Sequence, residues 1–239
     1  MAKRPETSTI DSLTEPVRKR SVVSIVIDRL TEAMINRELR PGDFLPSETE
    51  LTRRLGVGKT SVREAIKMLE AMGVVEIRQG HGTYIPLQQD AESISPLTFQ
   101  LILEQATNEQ LVELRQIFEP AYSLVAMRKA TDQDIAKIEQ ALLEFERKIA
   151  EGTQAADDDL LFHLRILEST HNPFVVRIGN TIHQLFKASV GKSMKKIPDT
   201  ALRDHKAIFK AFVARDARAL QAAIFESFKG WELSLEINE

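Results

Sequence analysis

The sequence has no cysteine in 239 residues. That removes disulfide scaffolds, Cys-ligated zinc, iron–sulfur clusters and thiol catalysis from consideration. No apolar run approaches the roughly 20 residues a membrane helix needs. The opening MAKRPETSTIDSLTEPVRKR lacks the apolar stretch of a secretory leader, so a soluble, reducing, cytoplasmic setting with no membrane partner is expected. Breakers are scarce, with 10 Gly and 9 Pro, and aromatic residues make up 6%. A chain so poor in breakers and rich in Ala, Leu, Glu and basic side chains is expected to be mainly α. A net charge of only −3 excludes a diffuse polycation that coats nucleic acid.

The charge is unevenly spread. Residues 1–86 carry a net +2 and residues 87–239 a net −5, which points to two parts with different partners. Residues 1–20 read as a flexible arm, either a solvated tail or one whose Arg18-Lys19-Arg20 cluster touches phosphates. A folded unit over 21–86, a polar linker at 87–92 and a second unit over 93–239 follow.

Apolar residues Val22, Val23, Val26, Ile27, Leu30, Met34 and Ile35 recur at helical spacing and predict a helix from about Val22 to Leu39, stopped by Pro41-Gly42. A second helix starts at Ser47, where Glu50 completes a capping box, and ends at Gly56. A third spans about Lys59 to Met72, with Val62, Ala65, Ile66 and Leu69 inward and Gly73 closing it. The strand-like runs 74–77 and 83–85 flank Gly80-His81-Gly82 and read as a hairpin, or wing. Two helices joined by a tight Gly turn and followed by a hairpin form a winged helix-turn-helix, or else a structural module with a charged solvated face. In the first case the second helix enters a major groove. Lys59, Thr60, Ser61 and Arg63 stand at its leading end, where hydroxyls bond phosphates or bases and a guanidinium forks onto guanine. Ser47, Arg53 and Arg54 on the preceding helix are placed to hold the backbone. The wing offers Arg78, Gln79, Gly80 and His81 to a groove wall.

From about Ala91 the chain reads as six or seven helices in an antiparallel bundle, with breaks near residues 107, 131, 152, 172, 197 and 215 and N-caps expected at Asn108, Thr131, Thr153 and Asn172. Asp159 and His163 are four apart and share a helix face. They form either an ordinary hydrogen-bonded pair or, with His205 from a second helix, ligands for a divalent ion such as Zn2+. Asp157 and Asp158 read as charge at the helix start. Arg115 lies in an apolar helix and needs an anion, either Glu119 one turn on or the carboxylate of a bound effector. His183 reads as an ordinary histidine rather than a ligand.

The stretch PGDFLPSETELTRRLGVGKTSVREAIKMLEAMGVVEIRQGHGTYI resembles the GntR superfamily of bacterial transcription factors through Pro41-Gly42, Leu45-Pro46-Ser47-Glu48, Leu55-Gly56-Val57, Val62-Arg63-Glu64-Ala65, Gly73 and Gly80-x-Gly82. The resemblance implies that Lys59, Thr60, Ser61 and Arg63 read DNA and that Gln79 and Gly80 make wing contacts. Thr49 stands where some members have an arginine to DNA, and Gly58 replaces a usual Ser. The helical half resembles the FCD domain of the FadR subfamily through Leu111-x3-Arg115-x3-Glu119-Pro120, Asp159-x3-His163, Asn172-Pro173, Asp204-His205-x2-Ile208 and Asp216. It implies a metal at Asp159, His163 and His205, with Ser227 where many members carry a further histidine, and an effector carboxylate on Arg115 positioned by Glu119. The spacing through Pro198-x-Thr200 looks closest to regulators that answer sugar acids such as galactonate, which implies a role for the Thr200 hydroxyl. The expected function is a homodimeric repressor of operator DNA controlled by a small carboxylate. A metal sensor and a metal-dependent hydrolase are the alternatives, the latter without the Glu base of an HExxH motif.

Overall fold

A computed structural model describes residues 21–87 and 96–235, in two compact units of residues 1–90 and 91–239. The arm at 1–20 and all but Leu87 of the linker expected at 87–92 lie outside the described residues. Ten helices and one two-stranded sheet are present among the described residues.

In the first unit, α1 (Val22–Ile35) stops four residues short of the expected Leu39 because Arg37 turns the chain at φ 62. Helix α2 (Glu48–Leu55) begins at Ser47, whose Oγ accepts the Glu50 N–H at 3.2 Å. The reciprocal half of the expected capping box is not made, because the Glu50 carboxylate pairs with Arg54 one turn on. Gly56 ends α2 at φ 65, a left-handed conformation that costs glycine nothing. Helix α3 (Lys59–Ala71) starts three residues after Gly56, with Gly58 at its N-cap and so no side-chain cap. Strands β1 (Glu76–Arg78) and β2 (Gly82–Tyr84) pair antiparallel, Glu76 against Tyr84, shifted by one or two residues from the expected runs. Val26, Leu30, Leu51, Val62, Ala65, Ile66, Leu69 and Val75 fill one core beneath all three helices. That burial leaves the outer face of α3 and the hairpin in solvent.

The second unit holds α4 (Pro96–Leu103), α5 (Asn108–Lys129), α6 (Asp132–Glu151), α7 (Ala156–Glu168), α8 (Pro173–Lys196), α9 (Pro198–Val213) and α10 (Ala217–Ser234). Two expected caps are displaced. Helix α5 is capped by Thr107 rather than Asn108, because Gln110 stands three residues after Thr107 and its amide returns the bond. Helix α7 starts after Ala155 rather than Thr153, because Asp158 supplies the capping carboxylate to the Ala155 N–H at 2.8 Å. Thr131 and Asn172 cap α6 and α8. Two apolar clusters form the core. One joins α5, α6, α7, α9 and α10 around Phe162, Phe212 and Phe228. The other joins α5, α6, α8 and α10 around Phe145, Phe186 and Trp231.

Candidate functional site

On the first unit, the packing of Val62, Ala65, Ile66 and Leu69 decides which residues of α3 are left outside. Lys59, Thr60 and Arg63 are exposed, and Ser61 is half-buried. They share the end of α3 where unpaired backbone N–H groups and the helix dipole favour an anion. Arg53 and Arg54 are exposed on α2. Ser47 is exposed too, but its hydroxyl is engaged at the start of α2. At the hairpin, Gln79, Gly80 and His81 are exposed. Gly80 takes φ 80, and the His81 Nδ1 lies 3.1 Å from the Gln79 carbonyl.

Two residues near this face escaped the sequence reading. Glu48, at the start of α2, accepts from Arg63 through both carboxylate oxygens, and this hydrogen bonding holds its carboxyl below the ordinary range. Tyr84 lies under Arg78, whose guanidinium carbon is 3.6 Å from the ring centre. The alternation of the hairpin carried a signal for the second pair, since Arg78 and Tyr84 stand diagonally across the two strands on the same side of the ribbon. Nothing local carried one for the first, which joins residues 15 apart.

On the second unit, Asp159, His163 and His205 come together as expected, each at least 96% buried. Helix periodicity puts Asp159 and His163 on one face of α7, and α9 brings His205 across. The Nε2 atoms of the two histidines lie 3.0 Å apart. Asp159 Oδ1 is 3.3 Å from His205 Nε2, and Asp159 Oδ2 is 4.0 Å from His163 Nε2. Ligand bonds of about 2.0–2.2 Å set donors roughly 3 to 4 Å apart around one ion, so this donor set fits a small divalent cation. Burial pushes the Asp159 carboxyl up and His205 well down in pKa. His205 is walled by Phe162, stacked at 4.4 Å, and by Phe145 at 5.2 Å. Its Nδ1 is buried without a hydrogen-bond partner.

Arg115 enters the same cluster from α5. Its Nε donates to Glu119 Oε2 at 2.5 Å and its Nη2 meets His163 Nε2 at 2.8 Å. Glu119 Oε1 lies 2.9 Å from His163 Nδ1, off the axis of a good hydrogen bond. Glu119 is the internal anion of Arg115, and the guanidinium also borders two cavities. Burial alone would raise the Glu119 pKa, yet the adjoining Arg115 guanidinium and its hydrogen bond bring it well below the ordinary range. The first cavity is lined on its polar side by Arg115, Asp159, Ser193, Asp204, His205 and Ser227. The second is apolar, between Phe118, Tyr122, Leu160 and Phe186. His183 borders it, buried, with its pKa driven down to about 3 by that burial.

Thr200 is not brought to the first cavity. It sits in the opening turn of α9, half-buried, with its methyl towards Gly230 of α10, and Ala201 and Asp204 take the lining positions. At 100° per residue, the face of α9 that carries His205 inward holds those two and turns residue 200 aside. Ser227, by contrast, does line the cavity, with its hydroxyl bonded to the Ile224 carbonyl at 2.7 Å. Asp157 and Asp158 stay clear of the cluster, paired with Lys187 and Lys148.

Comparison with known proteins matches each unit to a family. Residues 23–85 match the description "Bacterial regulatory proteins, gntR family", and residues 110–229 match the FCD domain. The Uxu operon transcriptional regulator of Escherichia coli is 32% identical over 82% of this chain and 80% of its own. The regulator LutR of Bacillus subtilis is 30% identical over 79% and 90%. The galactonate operon transcriptional repressor of E. coli is 26% identical over 83% and 90%. Among solved structures, a Streptococcus agalactiae GntR protein superposes with a TM-score of 0.64 at 27% identity, covering 87% of this chain and 98% of that one. Among the described residues no helix is long and apolar enough to cross a membrane.

Proposed function

The chain belongs to the GntR family of bacterial regulatory proteins, carries an FCD domain and is a DNA-binding transcriptional regulator rather than an enzyme. From that premise we propose a repressor whose hold on operator DNA is set by a small carboxylate bound in the helical unit. The observation that carries the proposal is Arg115. A buried guanidinium stands within hydrogen-bond reach of the Asp159–His163–His205 set and on the wall of a cavity.

In this reading α3 lies in a major groove. Lys59, Thr60 and Ser61 meet phosphates and base edges near the helix start, and Arg63 forks onto a guanine. Arg53, Arg54 and Ser47 sit along the backbone, and Gln79, Gly80 and His81 follow the groove wall. Asp159, His163 and His205 hold a divalent ion such as Zn2+, which when bound supplies a Lewis-acid centre for the effector carboxylate. Arg115 takes a carboxylate oxygen, and Glu119 keeps the guanidinium in place. The relative named for the galactonate operon supports a sugar acid as the effector. The effector must bind the DNA-incompetent state more tightly, since equal affinity for both states shifts nothing.

A second copy completes the regulator. Phe99, Ile102 and Leu103 on α4, and Phe174 and Ile178 on α8, are large apolar residues left exposed on the helical unit, and α4 packs on α8. Their burial between two chains would present two winged heads to a pseudo-palindromic operator.

A gel-shift titration of the operator with sugar acids, hydroxy acids and divalent ions tests the proposal. A sugar acid should release the wild type from DNA, and Arg115→Ala should bind DNA but ignore the acid. If no carboxylate alters DNA affinity, the switch is lost. Release by metal alone would make the ion the signal.

A further inference from the structure

We propose that Asp204 reads the hydroxyl groups of the effector, so that the cavity beside the Asp-His cluster selects a polyhydroxylated carboxylate over a short one. The inference rests on the carboxylate reading above and adds to it the residue that sets specificity.

Asp204 is only 7% exposed. Its one hydrogen-bonding neighbour among the described side chains is Arg203, the adjacent residue, which donates from Nε at 3.1 Å and Nη2 at 3.0 Å. Both bonds go to Oδ1, and Arg203 is itself 70% exposed. A pair with so exposed a partner contributes little to stability, so it does not explain why a carboxylate is buried here. Nor does capping, since Asp204 is the seventh residue of α9 and lies past its first turn. The other oxygen, Oδ2, lies towards Gly230 of α10, and Asp204 itself lines the cavity. A Cβ on Gly230 would come within 3.5 Å of Oδ2 and 3.2 Å of the Thr200 methyl, so the absence of a side chain there keeps that side of the carboxylate open.

An ionised carboxylate only accepts hydrogen bonds. It repels the carboxylate end of a ligand and welcomes hydroxyl donors. Arg115, the cation of the same cavity, has the opposite preference. The two therefore orient a bound acid, with its carboxylate towards Arg115 and its hydroxyls towards Asp204. Ser227 adds to the polar end. Its hydroxyl proton is committed to the Ile224 carbonyl, which leaves its oxygen to accept from a ligand. Asp204 is no part of the metal-ligating set found among the described residues, which is Asp159, His163 and His205, so its role is separable from metal binding.

The test is calorimetric titration of the full-length, Zn2+-loaded protein with gluconate, galactonate, lactate and propionate. Wild type should bind one of the two hexonates at least about tenfold tighter than lactate, the scale of one charge-assisted hydrogen bond. Asp204→Ala should lose that factor on the hexonate while changing lactate binding less than about twofold, and the isosteric Asp204→Asn should lie between. Arg115→Ala should lose all the acids. Equal losses on hexonate and lactate, unchanged hexonate binding in both Asp204 variants, or wild type preferring lactate would overturn the role of Asp204 alone. If wild type bound none of the acids, the carboxylate reading itself would fall, and this inference with it.

Discussion

The guanidinium of Arg63 on α3 grips the carboxylate of Glu48 on α2 through Nε at 3.2 Å and Nη2 at 3.0 Å. Two parallel donors of an arginine are also what a guanine takes on its O6 and N7. On the proposed docking of α3, Glu48 would compete with DNA for these two donors of Arg63. Arg63→Ala should abolish operator preference. Glu48→Gln should tighten binding to random duplex severalfold and narrow the ratio of specific to random affinity. Paired filter-binding curves on operator and random DNA decide this. A Glu48→Gln protein as selective as wild type would show that the pair merely braces the two helices.

Lys59 stands exposed at the first position of α3, where on the proposed docking its ammonium would meet phosphate as a point charge. Lys59→Ala should weaken binding to all sequences alike and reduce the slope of log K against log salt by about 1. Affinities measured across a salt series check it.

His205 supplies one of three converging donors, and a bound ion stabilises only the folded chain. Metal analysis should find about one divalent ion per chain, and chelation should lower the melting temperature, an ion at 100 times its Kd contributing about 2.7 kcal/mol. His205→Ala should hold no ion and show no response to chelator. Undiminished metal content in that variant would remove His205 from the ligands.

Asp134 ties three groups together: Oδ2 accepts from Thr131 N at 2.8 Å and Thr131 Oγ1 at 2.7 Å, and lies 2.8 Å from His171 Nε2. Burial pushes its carboxyl up, but the Thr131 and His171 contacts prevail and hold it below the ordinary value. Its folded pKa is thus depressed. The stability it contributes is present above the unfolded value near 4 and disappears as pH falls through the folded one. Asp134→Ala should cost about 1–2 kcal/mol in urea denaturation at pH 7 through loss of its half of the α6 capping box and of the His171 contact, and the gap from wild type should close in the acid range below about pH 4.

Gly179 on α8 faces Leu167 of α7 so closely that a Cβ there would overlap both Leu167 methyls, and Leu167 is fully buried. Gly179→Ala should destabilise by about 1–3 kcal/mol, despite alanine's better helix propensity. Thermal melts of Gly179→Ala with and without Leu167→Ala check the cause, since the smaller neighbour should absorb the methyl and recover part of the loss.

What could be read from the sequence was what short-range physics dictates. The 3.6-residue spacing of Val62, Ala65, Ile66 and Leu69 fixed the inner face of α3 and, by exclusion, the face left outside. Gly56 and Gly73 marked where helices stop, and the four-residue step from Asp159 to His163 put both on one face. Tertiary structure decided the rest. Glu50 turned to Arg54 instead of closing its capping box, and Glu48 met Arg63. Asp204 reached the cavity while Thr200 turned away, and Arg115 came against His163. Periodicity says which way a side chain points from its own helix, but not which neighbouring helix arrives opposite or in what register. Those are set by how the two apolar clusters around Phe162 and Phe145 pack, and it is their packing that encloses the polar site between them.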